Sequence, residues 1–208
     1  MVFDTAALHQ PSHVPDPHRD TNDSVSDSNI SNPTASLDDR IAHVADLINQ
    51  AHQPIICAGH GVIHSQHGPA LLAQLSQRSH IPVTTTLLGL GSFDSTLPEA
   101  LHMVGTHGTP YANLATQSAD LILALGARLD ERVVDNPNLY APRARHPPDG
   151  LGIIYFDISP STIGKVIPPT AIIPGDLSTT LPLLLPHITP NPRPNWLQTI
   201  HHWKPPTP

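Results

Sequence analysis

The sequence predicts a doubly wound α/β domain, a mostly parallel sheet with helices on both faces. Three observations predict it. Short apolar runs alternate along the chain with helical stretches of about ten residues, the pattern of strands joined by crossover helices. The run DLILALG is apolar throughout rather than at every second residue, as a strand covered on both faces must be. The chain of 208 residues is long enough for one such domain with tails and too short for two.

The elements follow in order. Residues 1–35 set Asp4, Asp16, Asp20, Asp23 and Asp27 against Arg19 alone. With their prolines and the run TNDSVSDSN they carry too little apolar surface to offset chain entropy, so a disordered leader or linker is expected. Ser36 opens the ordered part ahead of LDDRIAHVADLINQA, where Leu37, Ile41, Val44, Ile48 and Ala51 recur at helical spacing. Ser36 and Asp39 stand at the spacing of a capping box. Pro54 begins the strand PIICA, which ends in Gly59-His60-Gly61, and a second helix spans Gly68 to Arg78. Pro82 opens the β-branched strand PVTTT, followed by the Gly-rich loop LLGLG. A short helix is expected near Pro98–Met103, then the loop GTHGTP and a helix near Tyr111–Ser118. DLILALG, GIIYFDIS and TAIIPGD read as the third, fourth and fifth strands, and Leu177–Leu185 as the closing helix despite Pro182. The domain is therefore expected over 36–189. It leaves 190–208 as a Pro-rich segment in which Trp196, Leu197, Ile200 and Trp203 form one apolar helical turn that packs on something.

Composition excludes several roles. Net charge is −7, and only Lys165 and Lys204 carry ammonium groups, so the basic footprint of a nucleic-acid binder is missing. Cys57 alone rules out an internal disulfide framework and a multi-cysteine zinc site. No apolar stretch reaches the roughly 18 residues that span a bilayer. The first residues have neither a signal-peptide core nor an Arg-rich amphipathic pattern. A soluble protein of a reducing compartment, without nucleic-acid or membrane partners, is expected.

Every expected strand ends in a small or polar loop: Gly59-His60-Gly61, Thr86 to Gly91, Gly126 to Arg132, Asp157 to Pro160, and Gly175-Asp176. In open parallel sheets ligands sit outside the carboxyl ends of the strands, where such loops converge. Glycine there lets backbone approach an anion. Arg128 and Arg132, four apart in one loop, suit a phosphate, and Asp157 and Asp176 suit ribose hydroxyls or an adenine amine. Together they fit a nucleotide with a pyrophosphate. Other readings stay open. Gly59-His60-Gly61 continues Val62-Ile63-His64 and so lacks the third glycine of G-x-G-x-x-G; a tight turn without ligand explains it as well. Arg128 with Asp130 reads as a surface ion pair, the favoured reading for one arginine taken singly, and Asp157 as a plain strand end. His60, His64 and His67 have ligand-like spacing, but no Cys, Glu or Asp joins them and they overlap the glycine turn, so no metal is assigned. Cys57, in mid-strand, reads as a small core residue rather than a reactive thiol. No G-x-S-x-G or H-E-x-x-H occurs, and the glutamates Glu99 and Glu131 have no evident partner. The residues offer a binding site and no visible catalytic machinery.

The segments HIPVTTTLLGLGSFD, LHMVGTHGTPYANLATQSADLILALGARLDERV, GIIYFDISP and IIPGD resemble the central domain of the acetohydroxyacid synthase (acetolactate synthase) family, fungal type. The likeness runs from about Leu37 to Trp203. It implies a six-stranded, Rossmann-like unit between two thiamine-diphosphate-binding domains. It also implies that this unit holds FAD, which does not turn over as a redox carrier in that family. The family condenses two pyruvates, or pyruvate with 2-ketobutyrate, in branched-chain amino-acid synthesis. By this resemblance the cofactor-binding positions are Gly59, His60 and Gly61 in the glycine turn, and Thr86 and Leu87 against the flavin. They continue with Val104, Gly105, Thr106 and His107, then Gly126, Ala127, Arg128, Asp130 and Arg132, and at the nucleotide end Asp157, Ile158, Gly175 and Asp176.

The chain departs from the family pattern in places. His60 replaces a small residue, Thr106 a Met, Leu129 an aromatic ring, and Asp157 a Glu one methylene longer, each a change that could loosen FAD. The family's activating glutamate and its Gly-Asp-Gly site for diphosphate and magnesium lie in the two flanking domains, which this chain lacks. Catalysis by the chain alone is therefore not expected. Alternatives are one piece of an active synthase assembled with chains that supply the flanking domains, an ADP- or NAD-binding relative of the same fold, and a decayed copy without ligand. Fungal relatives imply a mitochondrial location.

Overall fold

The computed structural model describes residues 35–204 apart from 160 and 162. All but the last residue of the expected leader lie outside the described residues. Helix α1 (Leu37–Gln50) starts at the Ser36 cap: the Asp39 amide donates to Ser36 Oγ at 3.1 Å and the Ser36 amide to Asp39 Oδ2 at 3.3 Å. This is the reciprocal box that the spacing predicts.

Six strands form one sheet: β1 (Pro54–Ala58), β2 (Val83–Thr85), β3 (Ala100–Met103), β4 (Leu121–Leu125), β5 (Gly152–Asp157) and β6 (Ala171–Pro174). Their order is β3-β2-β1-β4-β5-β6 and every pairing is parallel. Strand order reverses between β1 and β4, so the crevice where such sheets take ligands opens at the carboxyl ends of those two strands.

Alternate strand residues face two helical layers. Ile56, Ala58, Leu123, Leu125 and Ile154 pack under α1, α3 (Gly68–Ser79) and α7 (Leu177–Leu184). Ile55, Cys57, Ile122, Ala124 and Tyr155 pack under α4 (Pro110–Ser118), α6 (Pro142–Arg145) and α8 (Pro194–Trp203). Cys57, Ala124 and Tyr155 are register partners across three strands. Pro182 stands exposed inside α7 without ending it. No described helix is long and apolar enough to cross a membrane.

Three sequence expectations need correction. Pro98–Met103 is not a short helix. The chain makes one turn, with the Ala100 amide donating to Leu97 O at 3.0 Å, and then extends as β3 because the Val83 amide donates to Glu99 O at 2.9 Å. DLILALG is consequently the fourth strand, and those after it move up by one. Gly59-His60-Gly61 is not a bare turn either: Gly59 caps helix α2 (His60–His64). The LLGLG loop contains a 3₁₀ turn at Leu87–Gly89.

The C-terminal segment docks on the amino end of the sheet. Arg193, 6% exposed, donates from its guanidinium to Ala51 O at 2.8 Å, Ile48 O at 2.6 Å and Ser79 O, closing the last turns of α1 and α3. The Trp196 indole donates to Pro54 O at 3.0 Å from a position only 1% exposed.

Candidate cofactor site at the carboxyl end of the sheet

The two loops at the switch point are pressed together. Gly59 N donates to Leu125 O at 2.9 Å, Gly61 N to Gly126 O at 3.0 Å, and Gly126 N to Phe156 O at 2.8 Å. A Cβ on Gly59 would lie 2.2 Å from Gly126 O. One on Gly126, which also has φ +53°, would lie 2.6 Å from Gly61 Cα. These glycines thus serve first to let the β1 and β4 loops touch, and their N–H groups are spent on neighbouring strands. A ligand in this crevice would meet the side chains around them.

Those side chains come from all the strand ends. After β2, Thr86 Oγ1 accepts from Gly89 N at 3.2 Å, which fixes the turn that carries Leu87, Leu88 and Leu90 at 54%, 54% and 50% exposure. Ile158, after β5, is 71% exposed. Both strand-end loops thus leave large apolar side chains in water. After β3, Gly105 (φ +105°) is clasped by Asn113, which accepts from Gly105 N at 2.9 Å and donates to Gly105 O at 3.0 Å. Thr106 N donates to Arg132 O at 3.2 Å, joining this loop to the one after β4. Val104 is buried, and Thr106 and His107 are exposed.

In the β4 loop, Ala127 and Leu129 are buried and Arg128 is exposed. Arg128 has no hydrogen-bond partner among the described residues, whereas the expected ion pair with Asp130 does not form. Asp130 Oδ1 instead accepts from Arg132 N at 3.1 Å and caps the short helix α5 (Glu131–Val134). Asp157 Oδ1 accepts from Ser159 N at 2.8 Å. Asp176 caps α7: its Oδ1 accepts from Ser178 N at 2.8 Å and from Ser65 Oγ at 2.5 Å. The Ser65 hydroxyl, then the Ser178 amide, hold its carboxyl below the usual carboxylate range. Of the charged groups expected at a nucleotide, Arg128 and Arg132 are exposed, Asp157 accepts from its own loop, and Asp130 and Asp176 cap helices.

Beside this end lies a cleft of about 290 Å³, lined among others by Val104, Gly105, Thr116, Val133 and Tyr140. Tyr140 Oη is buried without a partner, and burial, then Cys57 and Tyr155, pushes its ionisation well above the usual phenol range. Burial likewise pushes the Cys57 thiol up to about 12, so it is an inert core group at neutral pH. Among the described residues no three His, Cys, Asp or Glu side chains converge to hold a metal ion. Sequence reasoning missed Ser65, Asn113, Leu88 and Leu90.

Residues 41–184 match the family model for the thiamine pyrophosphate enzyme central domain. The chain is 49% identical over 173 residues to the mitochondrial acetolactate synthase catalytic subunit of Aspergillus candidus, covering 81% of this chain and 25% of that protein. It is 48% identical over 178 residues to the mitochondrial acetolactate synthase of Schizosaccharomyces pombe, covering 83% and 26%. It is 47% identical over 167 residues to the mitochondrial catalytic subunit of Saccharomyces cerevisiae, covering 79% and 24%. The chain thus spans about a quarter of the length of these relatives. The family match and the identities agree: the chain belongs to the thiamine pyrophosphate enzyme central-domain family, in the branch that its acetolactate synthase relatives occupy.

Proposed function

We propose that this chain is an FAD-binding central domain of the acetolactate synthase type, unable to run the condensation by itself. One observation carries the reading: Gly59–Gly61, Thr86–Leu90, Gly105–His107, Gly126–Arg132 and Asp157–Ile158 all stand at one end of a parallel sheet, around its switch point. The residues present fit the group. The exposed Arg128 guanidinium, with Arg132 in the same loop, would neutralise the pyrophosphate. Leu87, Leu88, Leu90 and Ile158 offer the apolar contact that a flavin ring needs. Asp157 has its second carboxylate oxygen left for ribose or adenine, although it is one methylene shorter than the family's glutamate. Bound there, FAD would supply structural order rather than hydride transfer, as the resemblance implies.

The matched relatives are more than three times as long as this chain, which spans about a quarter of their length. The pyruvate chemistry, thiamine diphosphate and magnesium therefore belong to an assembly with the rest of such a synthase. Partner chains carrying those domains are the second reading, favoured by the apolar side chains left exposed around the site. A mitochondrial location follows from the relatives' own.

Titrating FAD with the chain tests the reading. Saturable quenching of flavin fluorescence is expected, with weaker competition by ADP. Equal affinity for ADP, NAD and FAD would replace the flavin reading by that of a general nucleotide binder. A folded chain without any response would overturn it, and acetolactate formed by the isolated chain would overturn its catalytic incompleteness.

A further inference from the structure

We propose that His60 and His64 form a two-histidine chelate for a borderline divalent transition-metal ion, with Zn²⁺ or Ni²⁺ as its type, on the outer face of α2. The residues stand at i and i+4, the helical spacing that sets side chains side by side. Their ring centroids are 4.2 Å apart, and the planes lie at 84°. Two Zn–N bonds of about 2.1 Å at a tetrahedral angle hold their nitrogens roughly 3.4 Å apart. The rings are already neighbours, and both side chains are exposed.

The backbone beneath them is fixed. Gly61 N is tied to Gly126 O, Val62 is buried, and Ser65 N closes the helix on Gly61 O at 3.0 Å. The pair is thus presented by a rigid turn, which lowers the ordering cost of chelation. His67 lies beyond the helix, at a left-handed position (φ 60°) capping α3, and is not part of this face. No carboxylate joins the pair among the described residues, so imidazole alone sets the preference. It favours Zn²⁺, Ni²⁺ and Cu²⁺ over Mg²⁺ and Ca²⁺. Water completes the coordination sphere, which makes this an open surface chelate rather than a structural zinc site. The inference does not depend on flavin binding, because the metal alone is the probe.

Isothermal titration of the full chain with Zn²⁺ tests it. His60→Ala and His64→Ala are each expected to weaken the tightest step at least tenfold, while His201→Ala/His202→Ala leaves it unchanged. Substoichiometric Ni²⁺ should broaden the amide resonances of 59–64 first. Both side chains are exposed, so the variants keep the fold, which an unchanged unfolding midpoint verifies. An unaltered tightest step in the His60→Ala/His64→Ala double variant would overturn the proposal. So would Ni²⁺ broadening centred on other histidines.

Discussion

The two ends of the sheet are built on opposite plans. At the amino end the buried polar side chains Asp120, Arg193 and Trp196 are closed within the chain. The Asp120 carboxylate, 2% exposed, takes the His52 amide at 2.7 Å and the Gln53 amide at 2.9 Å. Arg193 closes two helix ends, and Trp196 caps Pro54. At the carboxyl end the backbone is equally well packed, but its side chains are left over. Arg128 is unpartnered among the described residues, four large apolar side chains stand half or more in water, and Tyr140 Oη is orphaned. One end of the sheet is closed by its own hydrogen bonds and the other leaves charged and apolar side chains exposed, the division expected of a parallel sheet that binds at its strand tips.

Breaking the amino end should cost the most. Arg193→Ala removes the charged donor from Ile48 O, Ala51 O and Ser79 O and leaves buried carbonyls unpaired. A loss of about 3–5 kcal/mol in urea unfolding is expected, with FAD affinity unchanged in the protein that remains folded. A loss under 1 kcal/mol would mean that α8 is not integral to the domain. Gly126→Ala comes next and strikes the other end. A methyl at φ +53°, 2.6 Å from Gly61 Cα, forces the β1 and β4 loops apart. Strain and overpacking together should cost about 2–4 kcal/mol, and FAD affinity should fall as well. Stability lost without any change in affinity would separate this glycine contact from the site.

The same contrast explains what the sequence disclosed. The both-faces-buried strands were legible in DLILALG and GIIYFDIS, because a continuous apolar run has few other uses. β3 was not legible: Leu97–Ala100 does turn, Pro98 favours a helix start, and only pairing with β2 extends the chain. α2 was hidden because Gly59 and Gly61 look like helix breakers, and their packing on Gly126 supplies what propensity lacks. Arg193 could not be found from sequence, since its acceptors lie 142 and 145 residues away. At the site, loop position was legible and roles less so. Asp130 and Asp176 carry the ordinary signature of helix N-caps, a short acidic residue just before a helix.

Arg128→Ala sharpens the comparison from the binding side. An exposed guanidinium without a partner among the described residues contributes little to folding, so stability should stay within about 0.5 kcal/mol. FAD should weaken by about 1.5–3 kcal/mol, the worth of a charge-assisted phosphate contact, read as the shift in the fluorescence titration. Unchanged affinity would remove Arg128 from the site and leave the pyrophosphate to Arg132.

Asp176 gives the smallest effect and tests where the two plans meet, since it stands at the carboxyl end yet is engaged in the fold. Asp176→Ala should cost about 1 kcal/mol at neutral pH, the usual worth of an N-cap. Its carboxyl is held below the ordinary value of 3.8 by Ser65 and Ser178, so the unfolded chain binds the proton more readily than the folded one. The contribution is therefore present above the ordinary carboxylate range and disappears as pH falls through the lowered folded value. Urea midpoints of the two proteins should converge on acidification, while Asp176→Asn, which keeps a capping oxygen without the charge, should differ from Asp176→Ala at every pH. If Asp176→Ala instead leaves stability alone and weakens FAD, the carboxylate belongs to the ligand rather than to α7, and the carboxyl end holds one more free group than its hydrogen bonds suggest.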